Sequence, residues 1–201
     1  MSDDKSAAAW RGYYDATAGR PPRQTLLWAL ERAEAQRSQR RAVDLGCGDG
    51  RDTVELLRRG WSVTAIDAEN LALERLAARP DLPAAAKLTP LCGKFQELTW
   101  PETDLVNASF ALPLCPPPLF PALWRKITAS LASGGRFAGQ LYGERDSWAS
   151  DPAMTIFDEA GARALLAVYA VERFEVEESD AVTPRGKQKH WHLFHIVARK
   201  A

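Results

Sequence analysis

Short apolar runs alternate along this chain with segments whose apolar residues recur at helical spacing. "RAVDL" (41–45) is an apolar run stopped by glycines, and "RDTVELLRRG" behind it sets Val54 and Leu57 on one helical face before Gly60; the pair predicts strand, glycine loop, helix. "SVTAID" (62–67) reads as a β-branched strand, "ENLALERLAAR" as a helix, and "KLTPLC" (87–92) as a strand whose Pro90 suits a sheet edge. "DLVNAS" (104–109) predicts a fourth strand, "FPALWRKITASLA" a helix ended by Ser133-Gly134-Gly135, and "RFAGQLYG" (136–143) a fifth strand. This alternation argues for a parallel sheet covered by helices on both faces.

The pattern changes near the end. After a predicted helix "DEAGARALLAVY" (158–169), "RFEVEES" alternates Phe174 and Val176 with Glu175 and Glu177, as a strand with one wet face should, and belongs at an edge. "KHWHLFHIVARK" (189–200) carries Trp191, Leu193 and Val197 on one face and Phe194 and Ile196 on the other, so it should be covered on both sides. The turn "TPRGKQ" joins the two as a hairpin, which makes the last strand antiparallel to the rest. At the other end Pro21-Pro22 precede a helix that begins near Thr25, whose Leu27 and Leu30 should cover the sheet.

Composition narrows the possibilities. A chain of 201 residues with 46% hydrophobic content suits one domain, and no repeat or linker divides it. Twenty-six basic residues balance twenty-six acidic ones, so charge gives no reason to expect nucleic acid or an anionic membrane as partner; a small molecule fits better, and the chain is expected to act as a monomer or homodimer. Cys47, Cys92 and Cys115 form neither an even disulfide set nor a CxxC pair, and "MSDDKSAAAW" has no apolar signal core, so a reduced, cytoplasmic protein is expected. The uncharged stretch from Leu105 to Trp124 carries prolines at 113, 116, 117, 118 and 121, which rules out a continuous membrane helix.

Candidate chemistry centres on "VDLGCGDG" (43–50). Gly46, Gly48 and Gly50 let backbone approach a ligand, and the following helix aims free N–H groups at the same space, as nucleotide-like ligands require. A dinucleotide loop reads G-x-G-x-x-G, whereas the spacing here is G-x-G-x-G. Asp44 would repel a pyrophosphate but suits the ammonium of an amino-acid-like cofactor, and Asp67, ending the second strand, suits ribose hydroxyls. Ribose and amino acid on one ligand describe S-adenosyl-L-methionine. A nicotinamide-dependent oxidoreductase accounts for Asp67 and the glycines but not for Asp44, and a cofactor sensor without turnover is a further alternative.

At these residues the chain resembles the class I S-adenosylmethionine-dependent methyltransferases. "VDLGCGDG" is similar to their first motif, "AID" (65–67) to their ribose acid, "DLVNAS" to their fourth-strand motif, and "LASGGRFAGQ" to the turn before strand five. Among the branches it looks most like the tellurite-resistance and small-molecule type, with a D-L-G-C-G-x-G-R loop and an "ARK" ending; Glu178 and Ser179 stand where that type tends to carry a His-Arg pair. The resemblance implies a Rossmann-like seven-stranded, mostly parallel α/β sheet with an antiparallel last strand. It also implies methyl transfer to a small-molecule acceptor from a cofactor held by Asp44, Gly46, Cys47, Gly48, Gly50, Asp67, Ala68, Lys94, Phe95 and Asn107, with no metal. Phe95 has two readings, on the adenine face or in the core.

Two further expectations concern the rim of the site. Residues 1–23, with Tyr14, Arg20 and Arg23, are expected to close as a lid over the cofactor of a 40–201 core; Tyr14 would face the sulfonium, and Arg20 or Arg23 would pair with the methionine carboxylate. Because the last strand runs backwards, its start reaches the ligand end of the sheet, making His190 the candidate base or acceptor contact; the competing reading is a strand histidine satisfied by a neighbour. His190, His192 and His195 do not share a face and so make a poor metal site.

Overall fold

Every residue of one strand, β4 (Thr103–Ala108), is buried, which fixes it at the centre of the sheet. The structure, a computed structural model, describes the backbone of residues 2–33 and 40–201 and the side chains of 10–33 and 40–201. On one side of β4 lie β1 (Arg41–Leu45), β2 (Ser62–Asp67) and β3 (Lys87–Cys92), all parallel to it; on the other lie β5 (Leu131–Gly143), β8 (Gln188–Lys200) and β7 (Tyr169–Val182). The order is β3-β2-β1-β4-β5-β8-β7, and β8 runs antiparallel to both of its neighbours. A two-residue strand, β6 (Ile156–Phe157), pairs with the end of β5 and leaves too short a pattern to read in sequence.

The expected edges hold: β3 with Pro90 and the acidic β7 are the outer strands. Helices α2 (Gln24–Ala33), α3 (Arg51–Arg58) and α4 (Asn70–Ala77) bury Leu30, Leu56 and Leu76 in one core with Ala42, Leu105 and Val197. Helices α5 (Phe120–Ser130) and α6 (Glu159–Ala164) pack in the other core, where Phe120 and Trp124 meet Phe137, Phe194 and Ile196. The periodicities of 3.6 and 2 thus sort apolar residues onto two faces of one sheet. The buried positions of α2 are Thr25, Leu26, Ala29 and Leu30; Leu27 is only half-buried, one step around the helix from the reading above. The first seventeen residues include α1 (Ser2–Thr17), whose Asp15 pairs with Arg75 of α4 at 2.7 Å.

Connections from β1 to β2 and from β1's other neighbour β4 lead to opposite sides of the sheet, so β1/β4 is its switch point, where the carboxyl ends of strands leave a crevice. At the opposite edge the β7–β8 pairing shifts register between Val171 and Arg173. The extra residue, Glu172, accepts two hydrogen bonds from the buried Arg136 guanidinium of β5, at 2.8 and 2.9 Å.

Removing one partner would leave a guanidinium buried without compensation. Glu172→Ala is therefore expected to lower unfolding free energy by about 3 kcal/mol, measured by urea unfolding. A change within about 0.5 kcal/mol would show that Arg136 finds water or another partner.

Candidate functional site

Two carboxylates lie beneath the glycine loop at the switch point. Asp44, near the end of β1, and Asp52, in the first turn of α3, are both buried. The Asn107 side-chain amide, on β4, donates to Asp44 at 2.8 Å and to Asp52 at 3.1 Å. Thr53 donates to Asp44 at 2.6 Å and Ser109 to Asp52 at 2.6 Å, while the backbone N–H of Arg23 reaches Asp52 at 2.8 Å. All these donors are uncharged. Burial and the adjacent Asp52 charge push the Asp44 carboxyl up to about 7, against the lowering effect of its bonds from Thr53 and Asn107. A cationic group entering here would meet acceptors already aimed and desolvated.

Above this floor the loop turns through left-handed backbone. Gly46 has φ 67°, and a Cβ there would stand 2.6 Å from that of Ala111. Gly48 has φ 55°, with the Tyr14 ring 3.4 Å from where its Cβ would be. Asp67 fastens the loop: its carboxylate accepts from the Gly48 N–H at 2.8 Å and from the Glu69 N–H at 2.9 Å. Burial raises the Asp67 carboxyl, and these amides oppose the shift. One bond at each oxygen leaves each able to accept another.

The roof comes from the N-terminal helices. Tyr14 is buried, stacks on Trp10 with centroids 6.1 Å apart, and lies under the Arg75 guanidinium at 5.7 Å. Burial, then the charge of Asp67, raises its hydroxyl well above the usual range, so it is neutral. Tyr13, Tyr14, Thr17 and Arg23 of the N-terminal segment line one pocket together with Asp44, Gly46, Cys47, Gly48, Asp49, Arg51, Asp52 and Ser109. Arg51 donates through Nε to the Pro21 carbonyl at 2.5 Å, yet its buried Nη1 has no partner. Burial, followed by the nearby Arg23, lowers its pKa. One pocket therefore offers acceptors for an ammonium and an unpaired guanidinium nitrogen for a carboxylate.

Of the sequence candidates, Tyr14, Arg23, Asp44, Gly46, Cys47 and Gly48 meet in this pocket. Gly50 caps α3, Asp67 braces the loop, and Asn107 positions the carboxylates from below. The Cys47 thiol is pushed up by burial, then by Asp44, which keeps it protonated. Others fall elsewhere. Phe95 packs in the core of α5, the second of its two readings, and Lys94 is exposed beside Glu97. Ala68 and Arg20 are exposed and do not line the pocket.

His190 corrects the reading of the last strand. The strand starts at the expected end, but Lys189 and Trp191 group with Tyr142 at the ligand side. Alternation sends His190 to the opposite face, where it bonds Asp180 at 2.9 Å and Glu178 at 3.3 Å on β7. Both carboxylates raise its pKa, Asp180 most. His192, on that same face, is buried against Arg145, and His195 bonds Glu177 at 2.8 Å; no metal-binding cluster occurs among the described residues. Sequence reading missed Asp52, Ser109 and Arg51. The acid at Asp52 had a signal in "GDGRD", one helical step past the last glycine, while Ser109 and Arg51 needed the loop geometry.

Comparison with known proteins agrees with this geometry. Residues 42–135 match the family described as a methyltransferase domain. The chain is 33% identical over 138 residues to trans-aconitate 2-methyltransferase of Rhodococcus jostii, covering 67% of this chain and 48% of the relative. It spans about half the length, or less, of the curated relatives it matches. In fold it is similar to TehB from Haemophilus influenzae, with TM-score 0.77 and 13% identity over 96% of this chain and 67% of that one. It is also similar to magnesium protoporphyrin IX methyltransferase from Synechocystis with bound S-adenosylhomocysteine, with TM-score 0.71 and 12% identity over 96% and 95% of the two chains.

The raised Asp44 carboxyl has a consequence for stability. The folded chain binds a proton there between the ordinary 3.8 and about 7, where the unfolded chain has lost it. Stability contributed by this group therefore falls as pH rises through that window and stays low above it. Asp44→Asn should raise the melting temperature at pH 8 and leave it nearly unchanged at pH 4, as followed by calorimetric melting. Equal destabilisation at both values would mean that Asp44 is held as a favourable carboxylate.

Proposed function

We propose that this chain is a class I S-adenosylmethionine-dependent methyltransferase that transfers a methyl group from S-adenosyl-L-methionine to a small-molecule acceptor. The observation that carries this reading is the buried pair Asp44 and Asp52 directly under the glycine loop. Two carboxylates there repel the pyrophosphate of a nicotinamide cofactor and attract an ammonium, which disfavours the oxidoreductase alternative.

In this reading Asp44 and Asp52 hold the ammonium, directly or through water, and the free Nη1 of Arg51 takes the carboxylate. The open lone pairs of Asp67 accept from the ribose hydroxyls, and Gly46 and Gly48 let the backbone approach the ligand. Tyr14 shields the sulfonium, and its neutral ring face suits a cation. When bound, the cofactor would supply an electrophilic methyl carbon on its sulfonium, which the acceptor's lone pair would take as S-adenosylhomocysteine leaves. The protein's task is alignment and exclusion of water. His190 faces the other side of the sheet and supplies no base to this step.

Curated relatives are named for trans-aconitate and for glycine, both small molecules, and a small acceptor is proposed here too. Neutral net charge supports a chain without a nucleic-acid or membrane partner, acting as a monomer or homodimer. No described helix is long and apolar enough to cross a membrane. Three free cysteines support a reducing compartment, the cytoplasm.

Titration calorimetry with S-adenosylhomocysteine tests the site. Asp67→Ala should weaken binding by roughly 1.5–3 kcal/mol through loss of charge-assisted hydrogen bonds, while the melt remains cooperative. Unchanged affinity would remove Asp67 from the site. Incubation with S-adenosyl-L-methionine and an acceptor panel should yield S-adenosylhomocysteine; binding without turnover across the panel would favour the sensor alternative.

The helix α1 can be tested separately. A chain trimmed to Pro22 loses Tyr13, Tyr14 and Thr17 but keeps α2, so methyl transfer should fall much further than thermal stability. Turnover intact after trimming would reduce α1 to packing.

A further inference from the structure

A group of aromatic side chains adjoins the cofactor pocket and has no part in holding the cofactor. Phe110, just after β4, Tyr142 at the end of β5 and Trp191 near the start of β8 meet edge to face, with centroids 6.1–6.4 Å apart and planes at 75–86°. Trp148 joins Tyr142 and Trp191 at 5.8 and 5.9 Å and is 41% exposed, so the group opens to solvent. Arg23, which lines the cofactor pocket, holds its guanidinium 4.3 Å from the Phe110 centroid. The two spaces therefore share a wall.

Two cations lie against this aromatic group. Lys189 is buried and lies 4.1 Å from the Trp148 ring, 4.4 Å from Trp191 and 5.2 Å from Tyr142, and it pairs with the buried Asp146. The position that an ammonium ligand would take among these rings is thus filled by the chain itself. Arg23 differs: no described carboxylate pairs with its guanidinium, which lies at the mouth. Tyr142, whose ring Lys189 approaches, is 3% exposed as a residue. Burial, then Asp146 and Tyr13, raises its pKa, and Arg23 opposes them, so the hydroxyl is neutral.

We propose that the methyl acceptor docks on this aromatic group beside the cofactor pocket and that the acceptor is a planar aromatic or conjugated anion, its ring against Phe110 and Trp191 and its oxyanion towards Arg23 and the Tyr142 hydroxyl. The inference rests on the methyl-transfer reading of the neighbouring pocket. Crossed rings present both edges and faces to a flat ligand. A guanidinium without a carboxylate partner, beside a neutral phenol hydroxyl, offers donors that an oxyanion accepts from. An amine acceptor would meet Arg23 and Lys189 with like charge and is selected against.

Calorimetry on the full chain saturated with S-adenosylhomocysteine tests this with two probes that share a ring, 4-hydroxybenzoate and tyramine. The anion should bind at least about tenfold more tightly than the amine, and Arg23→Gln should reduce that preference to within about threefold. Tyr142→Phe should weaken 4-hydroxybenzoate about fivefold, as one hydrogen bond is lost, and Trp191→Ala should weaken both probes while S-adenosylhomocysteine still binds. Tyramine binding as tightly as the anion, a preference that survives Arg23→Gln, or no binding of either probe to the loaded protein would each overturn the acceptor assignment alone. Failure of the unsubstituted chain to bind S-adenosylhomocysteine would overturn the methyl-transfer reading and this inference with it.

Discussion

Burying Asp44 and Asp52 side by side costs free energy that their neutral donors only partly return. Asn107, Thr53, Ser109 and the Arg23 amide orient the carboxylates without neutralising them, and the Asp44 carboxyl rises to about 7 in consequence. Much of the local architecture follows from keeping that pair in place. β1 and β4 must be adjacent for Asn107 to reach Asp44, α3 must begin at Gly50 for Asp52 to turn inward, and the segment before α2 must pass close enough for Arg23 to bond Asp52. In the proposed reading a ligand ammonium would complete the arrangement, so that the free energy spent in burying the pair would return on binding.

The same economy runs through the rest of the pocket. Asp67 ties the loop through Gly48 yet keeps lone pairs open, and Arg51 is anchored at Pro21 yet has a nitrogen without a partner. Each group is fixed by one interaction and left short of another. Elsewhere Lys126 donates to three carbonyls, Lys200 to two, and Arg136 to Glu172, while Arg41 Nε and the Trp61 and Trp100 indole N–H groups are buried without a partner; Arg51 differs from these in lining the pocket.

How much of this was legible depends on the range of the interaction involved. The edge position of β3 followed from Pro90, that of β7 from its alternating acids, and the two-sided burial of β8 from its apolar residues, because periodicity reports a strand's own faces. The glycine loop and Asp67 were visible since their conformational and chemical demands are local. His190 shows the limit. Topology put the right strand end at the site, but a side-chain period of two decides which of Lys189, His190 and Trp191 turns towards it, and that register is set by pairing with β5 and β7. Phe95 and Lys94 lie on a loop whose path no periodic pattern predicts, and β6 is too short to carry one.

If the carboxylate pair is the ammonium site, ligand binding must force Asp44 to ionise. Titration calorimetry of S-adenosylhomocysteine near pH 6.5, repeated in buffers of different ionisation enthalpy, measures the protons exchanged on binding. The account predicts net release of a substantial fraction of one proton, roughly half or more just below the shifted pKa, and its disappearance in Asp44→Asn. Binding with no proton release, or with proton uptake, would contradict it.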